Sequence, residues 1–304
     1  MRKNYSNLNG KNNQKTYKDL RRWQKERKSK VKDLSIQIEQ FPNKMIEALQ
    51  NNRSKITYTW IGHSTFLLQI EGLNILTDPV WAKRMGMQKR LTQPGIPLSD
   101  MPEIDIVVIS HGHYDHLDFS TLKKLSGDPH YFVPVGMKAL FNRKGYDKVT
   151  ELCWWDKVIH GNLTLHFVPA QHWTRRTLTD MNSSHWGGWM IQSQEKTFYF
   201  VGDTGYFEGF KLIGEKFSID TVLMPIGAYE PEWFMAESHI NPEDSIRAFL
   251  ELGATEFVPM HYGAYRLADD TGPEALERLC REWTRLNLPK EQLRVMLIGE
   301  TEIK

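Results

Sequence analysis

Cysteine is nearly missing from these 304 residues: Cys153 and Cys280 are the only two. Two thiols are too few for a disulfide framework, and neither sits in a C-x-x-C pair. Both are read as buried packing residues, the usual place for a thiol without a partner. Long apolar runs are missing as well. No stretch approaches the ~18 residues that a transmembrane helix requires. The N-terminal MRKNYSNLNGKNNQK is basic but lacks the apolar segment of a signal peptide, so a cytoplasmic protein is expected. There is no repeat of fixed period and no internal linker that would split the core.

A large charge of one sign is absent overall, since the net charge is +2. The two ends of the chain nevertheless differ. Residues 1–32 carry 12 Lys/Arg against Asp19 and Glu26, a local charge of +10, which leaves −8 on the remainder. A basic arm on an acidic body can meet anionic lipid or nucleic acid, or can simply be a solvated, partly helical extension. Residues 1–16 are Asn/Lys-rich and expected to be disordered. From Tyr17 to about Gln50 the pattern is helical but polar, interrupted at Pro42. Residues 1–50 thus form a basic extension, and 51–304 form the main domain.

That domain is rich in short strands. Segments 56–61, 65–70 and 73–77 are punctuated by Gly62 and Gly72. Further strands are expected at 104–110, 131–133, 163–168, 188–193, 197–201, 220–226 and 256–260. Helices are expected at 119–126, 135–143, 242–252 and 273–286. The third has Asn241 as cap, Pro242 at its first position and Gly253 after its end. The fourth places Leu276, Leu279, Cys280 and Trp283 on one stripe. Strands interleaved with helices on the outer faces fit an α/β fold built as a four-layer αββα sandwich.

The chemistry concentrates at 110–118, S-H-G-H-Y-D-H-L-D, between an expected strand and an expected helix. Residues i and i+2 of an extended segment point the same way, so His111 and His113 can grip one metal together. Asp115 and His116 can reach a second one where the chain turns. Imidazole plus carboxylate suits zinc best, and iron and manganese accept similar sets. Four ligands do not complete two metals. His172, Asp203 and His261 each follow an apolar strand and are read as the remaining ligands, with Asp203 able to bridge two cations through its two oxygens. Asp78, also at a strand end, is read as holding a ligand histidine in its tautomer. His63 is read as structural, beneath the site. His130, His160, His166 and His185 have no partner pattern. Trp173, Trp233, Phe234 and Met235 are read either as core or as the lining of an apolar pocket.

The H-x-H-x-D-H motif followed by His172, Asp203 and His261 resembles the metallo-β-lactamase superfamily over about residues 55–304. W-I-G-H-S-T-F-L, T-D-P-V-W, P-A-Q-H-W-T-R-R-T-L-T-D, G-D-T-G-Y, P-I-G-A-Y-E-P-E-W-F-M and H-I-N-P-E are similar to its N-acyl-phosphatidylethanolamine-hydrolysing phospholipase D branch. The resemblance implies two zinc ions. One is held by His111, His113, His172 and Asp203, the other by Asp115, His116, Asp203 and His261. It implies phosphodiester cleavage in a membrane phospholipid by hydroxide attack on phosphorus, with Asp115 orienting the hydroxide and His239 beside the substrate phosphate. Residues 1–50 depart from the lipid-cleaving enzymes, since they lack an apolar insertion surface. The competing activity is a sugar-phosphate lactonase on the same metals, with Arg175 or Arg176 facing the phosphate. A reading from another class is a lipid- or nucleic-acid-binding protein that uses the basic arm over a vestigial centre. The partners expected are a small-molecule or phospholipid substrate, with no nucleic acid. Peripheral contact with the inner face of a membrane and a homodimer stay open.

Overall fold

The early strands place Tyr58, Trp60, Phe66, Leu68 and Ile70 in one phase and Ile61, Leu67 and Leu76 in the other, which calls for a sheet covered on both sides. The computed structural model, which describes residues 4–10 and 15–304, shows how that requirement is met. Strands β1 (Thr57–Gly62), β2 (Thr65–Ile70) and β3 (Leu73–Thr77) form an antiparallel meander. A short hairpin, β4 (Arg84–Met85) and β5 (Gln88–Lys89), stands apart. The first sheet continues in parallel through β6 (Ile104–Val108), β7 (Gly127–Pro134) and β8 (Val149–Leu152). The second contains β9 (Lys157–His160), β10 (Leu163–Val168), β11 (Gly188–Gln192), β12 (Thr197–Phe200), β13 (Thr221–Pro225) and β14 (Glu256–Met260). A last strand, β15 (Thr301–Ile303), returns to the edge of the first sheet beside β1. The orders are β15-β1-β2-β3-β6-β7-β8 and β14-β13-β12-β11-β10-β9.

The period of two sorts side chains into two cores. Trp60, Phe66, Leu68, Ile106 and Val108 face the second sheet, where Tyr58 meets Phe198 and Phe132 meets Trp189. Their neighbours Ile61, Leu67, Val107 and Ile109 point the other way. There they pack with residues of α2 (Ile46–Asn51), α3 (Phe119–Leu122) and α4 (Lys138–Arg143). The second sheet is covered by α5 (Gly209–Lys216), α7 (Pro242–Leu252) and α8 (Gly272–Arg285), with Phe257 of β14 against Phe249 and Trp283. The layers are helix, sheet, sheet, helix. Two helices remain, α1 (Tyr17–Ser29) and the single turn α6 (Glu232–Met235).

Several local expectations shift. Helix 119–126 shortens to α3, because Gly127 already pairs with Ile104 in the parallel ladder. Helix 135–143 begins only at Lys138, since β7 runs to Pro134. Strands β4, β5, β8, β9 and β15 and helices α5 and α6 add to those expected from the sequence. Helix α7 starts and stops as expected: the Asn241 side chain accepts from the Asp244 N–H, and Gly253 is left-handed at φ 62°. Cys153 and Cys280 are both exposed, which corrects their placement in the core. Cys153 lies in the turn after β8. Cys280 is one residue, about 100° of helix, past the buried line Ala275, Leu279, Trp283.

Several described residues before 51 are packed against the rest. Ile38 is buried against Gly263 and Gly272, and Leu49 is buried in the outer core. The expected disorder of 1–16 falls partly on residues 1–3 and 11–14, outside the described residues. Tyr5 stacks on His185, and Asn7 is buried. No helix among the described residues is long and apolar enough to cross a membrane.

Candidate metal centre

Strands β3, β6, β10, β12 and β14 all point their C-terminal ends at one edge of the sandwich, and the polar residues just beyond them converge there. Asp78, after β3, is buried and clamps the loop that follows β6 at both ends. It accepts from the Ser110 N–H at 2.7 Å and the Ser110 hydroxyl, and from His116 Nδ1 at 2.6 Å. The loop lies so close to the 201–204 turn that a Cβ on Gly202 would stand 2.7 Å from the Ser110 Cβ, and Gly202 itself has φ 70°.

The loop's outer side is held by Arg176, whose guanidinium donates to the carbonyls of Gly112 at 2.8 Å and Leu117 at 3.0 Å. It also lies over the Tyr114 ring at 4.1 Å. Arg176 is therefore committed to protein carbonyls, which corrects its placement facing a phosphate. Arg175 remains at the rim of an adjoining groove. Arg176 escaped the sequence reading as a loop clamp because its partners lie 59–64 residues away.

On the side facing the centre, histidine nitrogens crowd one another. His111 Nε2 lies 2.9 Å from His113 Nδ1, and His172 Nε2 lies 3.1 Å from the same atom. The far nitrogen of His172 faces the Ser238 carbonyl at 2.8 Å, which places its proton on Nδ1 and its lone pair on Nε2. His116 is set the same way by Asp78, and its Nε2 lies 3.2 Å from His261 Nε2. Lone pairs aimed at each other are satisfied by a shared cation. Potential ligand atoms lie within 4.8 Å of one another in the set His111, His113, His172, and likewise in the set His63, Asp115, His116, His261. This buried imidazole and carboxylate donor set fits zinc-type ions.

Asp203 stands between the two sets. Its carboxylate is 3.2 Å from His116 Nε2, 3.0 Å from His261 Nε2 and 3.9 Å from His172 Nε2. Asp115 lies 3.3 Å from His116 Nε2 and 3.5 Å from His261 Nε2. The structure thus brings together all seven residues read as ligands, and adds His63, whose Nε2 is 3.1 Å from Asp115. His239 Nδ1 is 3.7 Å from Asp203, at the side facing the groove. His130, His160, His166 and His185 join none of these sets.

Electrostatics divide the site. Burial pushes His111 and His172 well below the usual imidazole range and His113 down to about 4, so their lone pairs are available near neutral pH. Burial also lowers His63 to about 3 and His239 to about 4. For His116 and His261 burial is outweighed by Asp203 and Asp115, which hold His116 well above its usual value and raise His261 to about 9. The same contacts outweigh burial at both carboxylates and keep them well below the usual range. The two carboxylates thus hold protons on His116 and His261, and a metal cation would displace those protons on binding, since an imidazole ligates only when neutral.

The groove beside the centre has a volume of about 400 Å³ and is lined by Leu20, Trp23, Trp173, Met181, Phe234 and Met235, with His239 on its wall. Trp233 lies outside this lining. Its ring carries Arg22 at 3.9 Å and its Nε1 donates to Glu26, so it docks α1. Trp23 stacks on Phe234 at 4.9 Å.

These features define a class: the chain belongs to the β-lactamase superfamily, whose domain description matches residues 73–262, and it has the metallo-β-lactamase fold. Within that class it is similar to N-acyl-phosphatidylethanolamine-hydrolyzing phospholipase D 1 of Caenorhabditis elegans, at 39% identity over 71% of this chain and 66% of the relative. The mitochondrial N-acyl-phosphatidylethanolamine-hydrolyzing phospholipase D of Saccharomyces cerevisiae is 34% identical over 78% of this chain and 54% of its own length. The chain therefore spans slightly less than two thirds of the first relative and about half of the second. Among solved structures, Igni18, a metallo hydrolase from the archaeon Ignicoccus hospitalis, superposes with a TM-score of 0.63. It covers 83% of this chain and 99% of its own at 23% identity, a likeness of fold.

Proposed function

We propose that this chain is a metal-dependent hydrolase with two zinc ions, a phosphodiesterase of phospholipase D type acting on an N-acyl-phosphatidylethanolamine-like phospholipid. The observation that carries this reading is the apolar groove with His239 on its wall, 3.7 Å from Asp203 at the heart of the ligand set. Its lining suits an acyl chain, and Arg175 at its border suits an anionic phosphate. The two relatives named for this activity support the same substrate class.

His111, His113, His172 and Asp203 would hold one ion, and Asp115, His116, His261 and Asp203 would hold the other. When bound, such ions polarise a phosphoryl oxygen and lower the pKa of water. Asp115 orients the attacking water, and His63 fixes Asp115 through the 3.1 Å contact. His239 is neutral near pH 7 and acts as a hydrogen-bond donor to a phosphoryl oxygen rather than as a charged acid. A sugar-phosphate lactonase needs a small polar cavity, and the apolar lining of the groove weighs against it.

The test is metal analysis followed by a substrate panel on zinc-loaded protein: an N-acylated phospholipid, a simple phosphodiester and a sugar-phosphate lactone. Cleavage of both phosphodiesters, with the lipid preferred, is expected. Cleavage of the lactone alone overturns the assignment.

A further inference from the structure

Helix α1 has two cationic faces with different fates. Its inner line is used within the protein. Trp23 stacks on Phe234, and Arg27 lies 3.4 Å from the fully buried Asp269, which Lys30 at the helix end also approaches at 3.5 Å. Lys15 and Lys32, flanking the helix, pair with Glu237 and with Glu230 and Glu274. Lys18, Arg21, Lys25 and Lys28 recur at spacings of three, four and three. At about 100° per residue they fall within an arc of about 80°, roughly opposite Trp23 and Arg27. All four are exposed, and none forms an ion pair among the described residues.

We propose that this outer stripe docks the protein on an anionic lipid bilayer, setting the groove that α1 borders against the membrane. The inference rests on the phospholipid reading for its purpose, but its evidence is separate. The charge asymmetry of +10 on residues 1–32 against −8 on the rest orients the molecule with α1 towards a negative surface and its body away. Apolar side chains stand beside the stripe: Tyr17, which starts α1 and lines the groove, is 74% exposed, and Leu178, in the segment between the groove residues Arg175 and Met181, is 87% exposed. A bilayer receives such side chains at its interface, whereas a nucleic-acid backbone offers them nothing. The inner face of α1 is already packed, so contact is electrostatic, without deep insertion of the helix.

Co-sedimentation with vesicles tests this, using phosphatidylcholine alone and phosphatidylcholine with about 30% phosphatidylglycerol. Wild type is expected to bind the anionic vesicles, to release them as salt rises and to ignore the neutral ones. The variant Lys18→Gln/Arg21→Gln/Lys25→Gln/Lys28→Gln keeps good helix formers at exposed sites. Each lost charge is expected to weaken binding about five-fold, on the order of several-hundred-fold for the four together. Lys18→Arg/Lys25→Arg/Lys28→Arg is expected to bind as wild type does. Equal binding by wild type and the Gln variant overturns the proposal. So does preference for neutral vesicles, or binding to duplex DNA with none to vesicles. Hydrolysis of a soluble phosphodiester by the Gln variant is expected to match wild type. Failure of zinc-loaded wild type on that substrate would sink the phosphodiesterase reading and leave the vesicle result standing.

Discussion

Asp78→Asn is the sharpest perturbation of the centre, because it changes one atom outside the proposed ligand set. The carboxylate accepts from the Ser110 N–H and hydroxyl and from His116 Nδ1, and it is fully buried, so no water can substitute. Asparagine keeps one acceptor oxygen. If that oxygen keeps the Ser110 N–H, the amide NH₂ faces His116 Nδ1, donor against donor. His116 then relieves the clash by moving its proton to Nε2, the atom 3.2 Å from both Asp203 and His261 Nε2. Its lone pair leaves the centre. Loss of such an outer partner weakens metal affinity about 10–100-fold, which is ~1.4–2.8 kcal/mol. A chelator competition at neutral pH measures it. Melting of the metal-free variant separately reports the unsatisfied buried groups, worth about 1–3 kcal/mol. Affinity within about two-fold of wild type would show that Asp78 does not set the His116 tautomer, and the reasoning fails.

Two other outcomes are expected. Asp203→Ala removes the group standing between both ligand sets, so metal analysis is expected to find both ions lost and turnover abolished; retained metal with activity refutes the bridging role. Burial, reinforced by Glu230 and partly offset by the Glu230 and Ala228 N–H groups, pushes Asp270 up to about 6. A raised carboxyl binds its proton more tightly in the folded state, so its contribution to stability is present below about pH 4 and lost as pH rises through about 6. A carboxyl resonance titrating near 6, absent from Asp270→Ser, is the expected NMR signature.

Much of the candidate site was legible because its parts are local. His111, His113, Asp115 and His116 sit within six residues, and an extended segment aims i and i+2 together. His172, Asp203 and His261 each follow a run of apolar residues that can only be a buried strand. Asp78 was legible on the same ground. What was not legible depends on partners distant in sequence. Nothing near Arg176 says that its guanidinium wraps carbonyls on another loop. His63 gave no sign that it touches Asp115, 52 residues away. Asn7, in a polar segment read as disordered, accepts from the His172 N–H, 165 residues on. Cys280 was misplaced by one position on a helix, where a single residue turns a side chain from core to solvent.

By itself, the order of residue types determined the strands that lead to the centre, the ligand chemistry and the superfamily resemblance, since periodicity and local spacing act through the backbone over a few residues. Only the tertiary structure decided that five strand ends meet at one edge, because that depends on sheet order. It also decided the imidazole tautomers, which are set by the Ser238 carbonyl and the Asp78 carboxylate. The groove is a tertiary product too. Its walls come from residues 15–23, 173–181 and 234–239, and the Lys15–Glu237 pair spans 222 positions. The basic N-terminal helix was visible as charge alone; packing divided that charge into an inner face tied to the body and an outer face left for a partner.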